Sequence, residues 1–228
     1  MIWRKIVQLG FLAGWTVLGT GLPAQPVLKV ATAEGHEQLF PLVTAIYAEL
    51  GYKAEITVLP AERSLLAVNS GEYDAELVRA KGVLGPYPNL LATSEPILTV
   101  HLQAWGRKDS GVQNGGEGSL KDYKIGLMAG IKIAETYVAV RGLRATVGTD
   151  LKSLAKMLDL GMVDLVLLPD TFVSRTWGGT YKILGPSLLT TVSFHIFNRK
   201  HQDLAGQWDQ ILRAMKADGR FQQLTAER

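Results

Sequence analysis

The sequence predicts an α/β protein of two lobes joined by two crossing strands. Three observations carry that prediction. Strand-like and helix-like segments alternate twice in a βαβαβ order, the arrangement that builds parallel sheets covered by helices. Two longer β-rich runs, residues 97–105 and 189–198, belong to neither unit, and each can carry the chain from one lobe to the other. The 228 residues, less an N-terminal leader, give each lobe enough chain for a core of its own.

The leader comes first. Arg4 and Lys5 precede an apolar run over residues 6–18, and small residues follow at Gly19, Gly21 and Ala24. That order predicts a secretory signal peptide over residues 1–24, because the run falls short of the roughly 20 apolar residues of a spanning helix. The chain has no cysteine, which removes disulfides, thiolate metal sites and a lipid anchor together. A soluble periplasmic protein is the expectation. Loss of Arg4 and Lys5 lowers the formal charge from +3 to +1, too little for the concentrated basic face that nucleic acid demands.

Residues 27–32 form a β-rich run, and the helix over 36–50 shows Leu39, Leu42, Val43, Ile46 and Leu50 on one face before Gly51 stops it. A strand over 53–59 alternates through Ala54, Ile56 and Val58. A helix around Arg63 then breaks at Asn69-Ser70-Gly71, ahead of a short strand over 73–77. The second unit opens with a strand over 123–127, a turn at Met128-Ala129-Gly130 and a helix over 131–141. A short strand over 145–147 leads to a helix capped by Thr149 or Asp150, with Leu151, Leu154, Met157 and Leu158 facing inward. Residues 163–168 read as a buried parallel strand ended by Pro169-Asp170. The Gly-rich segment 111–118 is a surface loop, and residues 202–215 form a C-terminal helix. Lobe 1 is then 25–100 with 193–228, and lobe 2 is 101–192.

Candidate ligand residues lie where these elements end. Arg63 and Arg79 carry guanidinium groups able to fork a carboxylate, and Glu62 and Glu76 stand close enough in sequence to pair with them instead. Glu34 can receive an ammonium or serve as ordinary charge at a helix start. Gly130 opens a helix whose free amides suit an anion, with Lys132 beside it, or it simply makes a tight turn. Asp170 is a site acid or a cap for the segment from Thr171. Trp105 and Trp177 wall a cleft or fill a core.

The stretch 60–97 resembles a known family: the small periplasmic solute-binding proteins of extracellular family 3, the type associated with polar amino acids. Those carry Pro-x-x-Arg, then Gly-x-x-Asp-x-Glu-x-x-Arg, then Tyr-Pro-Asn-Leu. Here the matches are Pro60 and Arg63, then Gly71, Asp74, Glu76 and Arg79, then Tyr87-Pro88-Asn89-Leu90. The resemblance implies a type II periplasmic-binding-protein fold, monomeric, holding a small polar, carboxylate-bearing, amino-acid-like solute in an interlobe cleft. The partner it implies is an inner-membrane ABC transporter, or a membrane sensor that reads the solute. One departure stands out: where better-known amino-acid binders place a Thr-x-x-Arg segment, this chain reads Gly82-Val83-Leu84-Gly85-Pro86.

A few proteins of this fold are dehydratases, and His36, His101, His195, Glu34 and Asp170 are acid–base types. No spacing ties any pair of them together, and neither an H-E-x-x-H nor a G-x-S-x-G is present. The expectation is a binding protein without cofactor, metal or catalytic residues.

Overall fold

The computed structural model describes residues 25–113, 116, 119–172, 177 and 179–226. The expected leader lies outside them, as do parts of the 111–118 loop and of the segment after Thr171. Among the described residues no helix is long and apolar enough to cross a membrane.

The chain begins with β1 (Val27–Thr32), α1 (Phe40–Glu49), β2 (Lys53–Val58), α2 (Ala61–Ser70) and β3 (Ala75–Ala80), followed by the short β4 (Leu90–Ala92). It crosses on β5 (Leu98–Arg107) and continues through β6 (Ile125–Met128), α3 (Lys132–Val140), β7 (Ala145–Gly148), α4 (Leu151–Asp159), β8 (Leu165–Pro169) and β9 (Tyr181–Ile183). It returns on β10 (Leu189–Asn198) and ends in α5 (Gln202–Ala217) and α6 (Arg220–Thr225).

One sheet runs through the molecule in the order β2-β1-β3-β10-β5-β8-β6-β7. The two ends mirror each other. In each half three parallel strands, β2-β1-β3 or β7-β6-β8, meet an antiparallel fourth strand that arrives from the other half. The arriving strands, β10 and β5, pair with each other over residues 189–193 and 98–102. The chain thus crosses twice on paired strands of ten residues each.

Each half has its own apolar interior. Leu28, Val30, Ile46, Tyr47, Leu77 and Trp208 belong to that of the first half, and α5 closes it. Leu102, Leu127, Leu154, Leu165 and Leu167 belong to the second, where Trp105 is also buried. Among the described buried residues, Ala33 and Ala61 alone reach from the first half into the second core. α4 is held at its start by a capping box: Asp150 accepts from the Ser153 amide while Ser153 accepts from the Asp150 amide.

β3 departs from the expected strand over 73–77. It runs to Ala80, so Glu76 and Arg79 both lie within it. Residues three apart on a flat strand face opposite sides. Here Arg79 is opposite Phe194 but Glu76 is opposite Ile196, so β3 carries one extra residue between them. The bulge turns both side chains to one face, and Arg79 Nε lies 2.8 Å from Glu76 Oε1. His195 sits opposite the bulge, and its Nδ1 bonds the Leu77 carbonyl at 3.0 Å.

Candidate functional site

The C-terminal ends of the parallel strands in both halves converge on one cleft. β1 contributes His36 just beyond it, β3 contributes Val78, Arg79 and Ala80, and the paired crossing strands contribute Val100, Thr191 and Ser193. From the second half come Ile131, Lys132 and Ile133 at the start of α3, and Pro169, Thr171 and Phe172 after β8. Loop and strand ends at the meeting of two α/β units are where small ligands are held. The cavity volume is about 50 Å³, far less than the roughly 300–1,000 Å³ of sites for drug-sized ligands.

The halves touch at two glycines. Gly130, at φ +81°, lies so close to the first turn of α2 that an added Cβ would sit 2.9 Å from the Ala61 carbonyl carbon. Gly35, at φ +85°, would place a Cβ 3.0 Å from the Thr171 carbonyl oxygen. Both φ values belong to the left-handed region that favours glycine. Beside the first contact, Lys132 bridges to Glu62 across the cleft rim and to Glu135 at 3.0 Å within its own helix. Those carboxylates hold the Lys132 pKa well above its ordinary value, against the opposing effect of burial.

Arg79 is the buried cation of the cleft. Its Nη2 donates to the Ala61 carbonyl and to Ser64 Oγ, both at 2.8 Å. Its Nε faces Glu76 at 2.8 Å, in a direction that makes a charge contact rather than an aligned hydrogen bond. Glu76 is fully buried, and burial pushes its carboxyl from 4.5 up to about 7 although Arg79 opposes the rise. With Nη2 and Nε engaged, Nη1 is the nitrogen left for a ligand. The two-pronged fork expected of Arg79 is therefore reduced to one prong.

His36 faces the same cavity and is neutral. Burial lowers its pKa to about 3, the neighbouring Arg79 adds to that, and the Ala33 backbone opposes it. Its Nδ1 lies 3.2 Å from Thr32 Oγ1, and its ring meets the edge of Phe172 across the cleft. On the opposite wall, Thr171 Oγ1 is buried without a hydrogen-bond partner among the described residues.

The remaining expected site residues lie elsewhere. Arg63 is exposed on α2 and is not in the cleft lining. Glu34 is exposed and belongs to a separate groove with Asp150, Lys152 and Trp177. Trp105 is in β5, opposite Val166 of β8 and Ile183 of β9, and packs into the second core rather than the cleft. Asp170 adjoins the cleft, but its Oδ1 accepts from the His101 amide at 3.0 Å, so it fastens β5 to the end of β8. The amide of Gly130 is engaged by Glu135 Oε1 at 2.7 Å, which occupies the position an anion would take at the start of α3. His195 is buried in the first core, bonded to Tyr47 and stacked on Trp208 at 3.8 Å.

Of the expected ligand residues, Arg79 and Lys132 line the cavity, Glu76 lies against Arg79, and Gly130 lies at the contact between the halves. Sequence reasoning missed His36, Thr171 and Phe172 as cleft residues. The Pro169-Asp170 strand end was the local signal for the last two.

No protein-family model matches the sequence, and no curated protein matches it. Solved structures do. A histidine kinase sensor domain with similarity to periplasmic binding proteins superposes with a TM-score of 0.75 at 15% identity, covering 88% of this chain and 94% of its own. A mutant of ArgBP from T. maritima gives 0.73 at 16% identity over 87% and 93% of the two chains. An arginine transport-system periplasmic binding protein from Legionella pneumophila gives 0.71 at 16% identity over 87% and 97%. Likeness of this extent at such low identity is a likeness of fold: two α/β halves on paired crossing strands around a cleft, the fold of the periplasmic binding proteins.

Proposed function

We propose that this protein captures a small carboxylate-bearing solute between its halves, outside the cytoplasmic membrane, and presents it to a membrane transporter. The observation that carries the reading is Arg79: a buried guanidinium with one nitrogen left over, at a strand end, in a cavity bounded by both halves. A buried cation whose remaining N–H groups face a cavity is stabilised by an anion that accepts from them. Closure of the halves on the solute supplies the second wall, and the solute favours the closed state only by binding it more strongly than the open one. Solved neighbours whose names specify arginine binding or transport support the same reading.

The sensor-domain neighbour favours a second reading on the same cleft, in which a membrane signalling protein reads the occupied form. Both readings treat the cleft as a binding site rather than a place of turnover.

The test is native mass spectrometry of the full chain exported by a Gram-negative host, with bound small molecules released and identified. A carboxylate retained by the wild type and lost from Arg79→Met supports the reading. A retained molecule without an anionic group, or retention indifferent to Arg79, overturns it. Pull-down from membranes with the occupied protein then separates transporter from sensor.

A further inference from the structure

The acids beside the cavity lining on α2, β3 and α3 and after β8 each face a group of the protein itself. Glu76 faces Arg79, and Glu62 accepts from the Tyr87 hydroxyl at 3.0 Å and pairs with Lys132. Glu135 binds Lys132 and the Gly130 amide, while Asp170 binds the His101 amide. The cavity lining contains Arg79 and Lys132 and, among the described residues, no Asp or Glu. A solute ammonium placed here would meet a buried guanidinium at close range and find no carboxylate to balance it.

The cleft also continues sideways into an apolar groove. The groove shares Ala80, Val83, Ile133 and Thr191 with the cavity and extends along α3 to Val140 and across to Leu189, with Arg141 over the Tyr137 ring at its far end. Val140 is the most exposed large apolar side chain among the described residues, 76% accessible, and Leu189 is 39% accessible. The groove volume is about 200 Å³, larger than the roughly 150 Å³ cavity that takes up benzene. Apolar surface that continues a cleft gains from covering by the same ligand. At the polar end, Arg79 Nη1 and the Thr171 hydroxyl, which has no partner among the described residues, offer donors from opposite halves.

We infer that the cleft is built for an organic acid without an ammonium group, its carboxylate at Arg79 and Thr171 and its apolar tail along Val83, Ile133 and Val140. The inference rests on the carboxylate-capturing reading above and narrows it: simple branched-alkyl or aryl carboxylates and their 2-oxo forms fit, and α-amino acids do not.

Calorimetric titration of the full chain with a matched set tests it: 4-methylpentanoate, 4-methyl-2-oxopentanoate, L-leucine, L-arginine and pyruvate. The two branched acids are expected to bind at least about tenfold more tightly than L-leucine, from which they differ at the amino carbon, and than pyruvate, which lacks the tail. Thr136→Trp, at an exposed groove position, and Val83→Asp each spoil the groove by a different route. Both are expected to bring the branched acids down to the affinity of pyruvate, with thermal melts confirming that each variant folds. L-Leucine or L-arginine binding as tightly as the branched acids, or branched-acid affinities untouched by both variants, overturns the inference and leaves carboxylate capture standing. Failure of all five to bind the folded wild type overturns both.

Discussion

Gly130 and Ala61 come from opposite halves, and a Cβ on the glycine would lie 2.9 Å from the Ala61 carbonyl carbon. Backbone meets backbone there, so no side-chain rearrangement relieves the overlap. Gly130→Ala is expected to act in two separable ways. The left-handed φ of +81° costs the variant about 1–2 kcal/mol of stability in any state. The overlap penalises only the state in which the halves touch, so solute affinity should fall by about tenfold or more, roughly 1.4 kcal/mol. Small-angle scattering should give a larger radius of gyration than the wild type. An unchanged radius with unchanged affinity would show that the contact is no barrier. Glu62→Gln provides the contrast: its bridge to Lys132 is partly exposed, and its loss should cost less than about 1 kcal/mol.

Arg79 holds its own half together as well as facing the cavity. Arg79→Lys cannot reproduce the paired Nη2 bonds to Ala61 and Ser64 together with the contact to Glu76. Stability should therefore fall by about 1–3 kcal/mol. Affinity for a carboxylate should fall by a further ~1.5–3 kcal/mol, measured by titration at a temperature where the variant remains folded. Loss of affinity without loss of stability would place the Nη2 bonds elsewhere.

Glu76 links stability to pH. Its folded pKa, about 7, lies above the ordinary 4.5. Its contribution is therefore fully present below about 4.5 and is lost as pH rises through about 7. His36 and His195 act in the opposite sense, since their folded values of about 3 lie below 6.5 and their contribution fades as pH falls below that. Subtracting the melting profile of Glu76→Gln from that of the wild type isolates the carboxyl. The difference should shift against the wild type between pH 5 and 8. An anion bound at Arg79 raises the Glu76 pKa further, so binding should take up a fraction of a proton near neutrality, readable by calorimetry in two buffers. A flat difference profile would mean that Glu76 stays ionised.

Tyr47 and His195 form a buried pair whose proton positions follow from their partners. The Leu77 carbonyl only accepts, so His195 Nδ1 carries the hydrogen and Nε2 accepts from the Tyr47 hydroxyl at 2.9 Å. Tyr47→Phe leaves Nε2 unpaired in an apolar interior and should cost about 1–3 kcal/mol in denaturant unfolding. Solute affinity should not change, because Tyr47 lies in the first core and outside the cleft lining. A coupled loss of affinity would tie this core to the site.

The crossing strands were legible because long β-rich runs that belong to neither βαβαβ unit have few other uses, and β5 and β10 begin and end within two residues of the expected runs. The α4 cap was legible as Thr149 or Asp150, and Asp150 takes it. The motif between Pro60 and Leu90 turned out to be largely scaffolding. Gly71 ends α2 at φ +86°, and Asp74 binds the Lys29 amide, Lys200 and His201. Tyr87 reaches Glu62, and Asn89 bonds Asn69. Those residues fix how the first half packs, so they announce a fold more clearly than a ligand. The site was less legible for two physical reasons. A bulge in β3 breaks the alternation from which the faces of Glu76 and Arg79 would be read. His36 and Thr171 become cleft residues only when the halves meet, and contact between distant segments leaves no local periodicity.

The pairing of residues 98–102 with 189–193 joins the two crossings into a single ribbon, and Val100, Thr191 and Ser193 of that ribbon form the cavity floor. A rotation of the halves about it would displace the mouth far and the floor little. An occupant resting on the floor against Arg79 would keep those neighbours whether the mouth stood open or shut. Lys132, Thr171 and Phe172, across from it, would be gained only on shutting. Speed of capture and length of retention would then be written on different residues, the first on the ribbon and Arg79, the second on the far wall, and selection can tune one without disturbing the other.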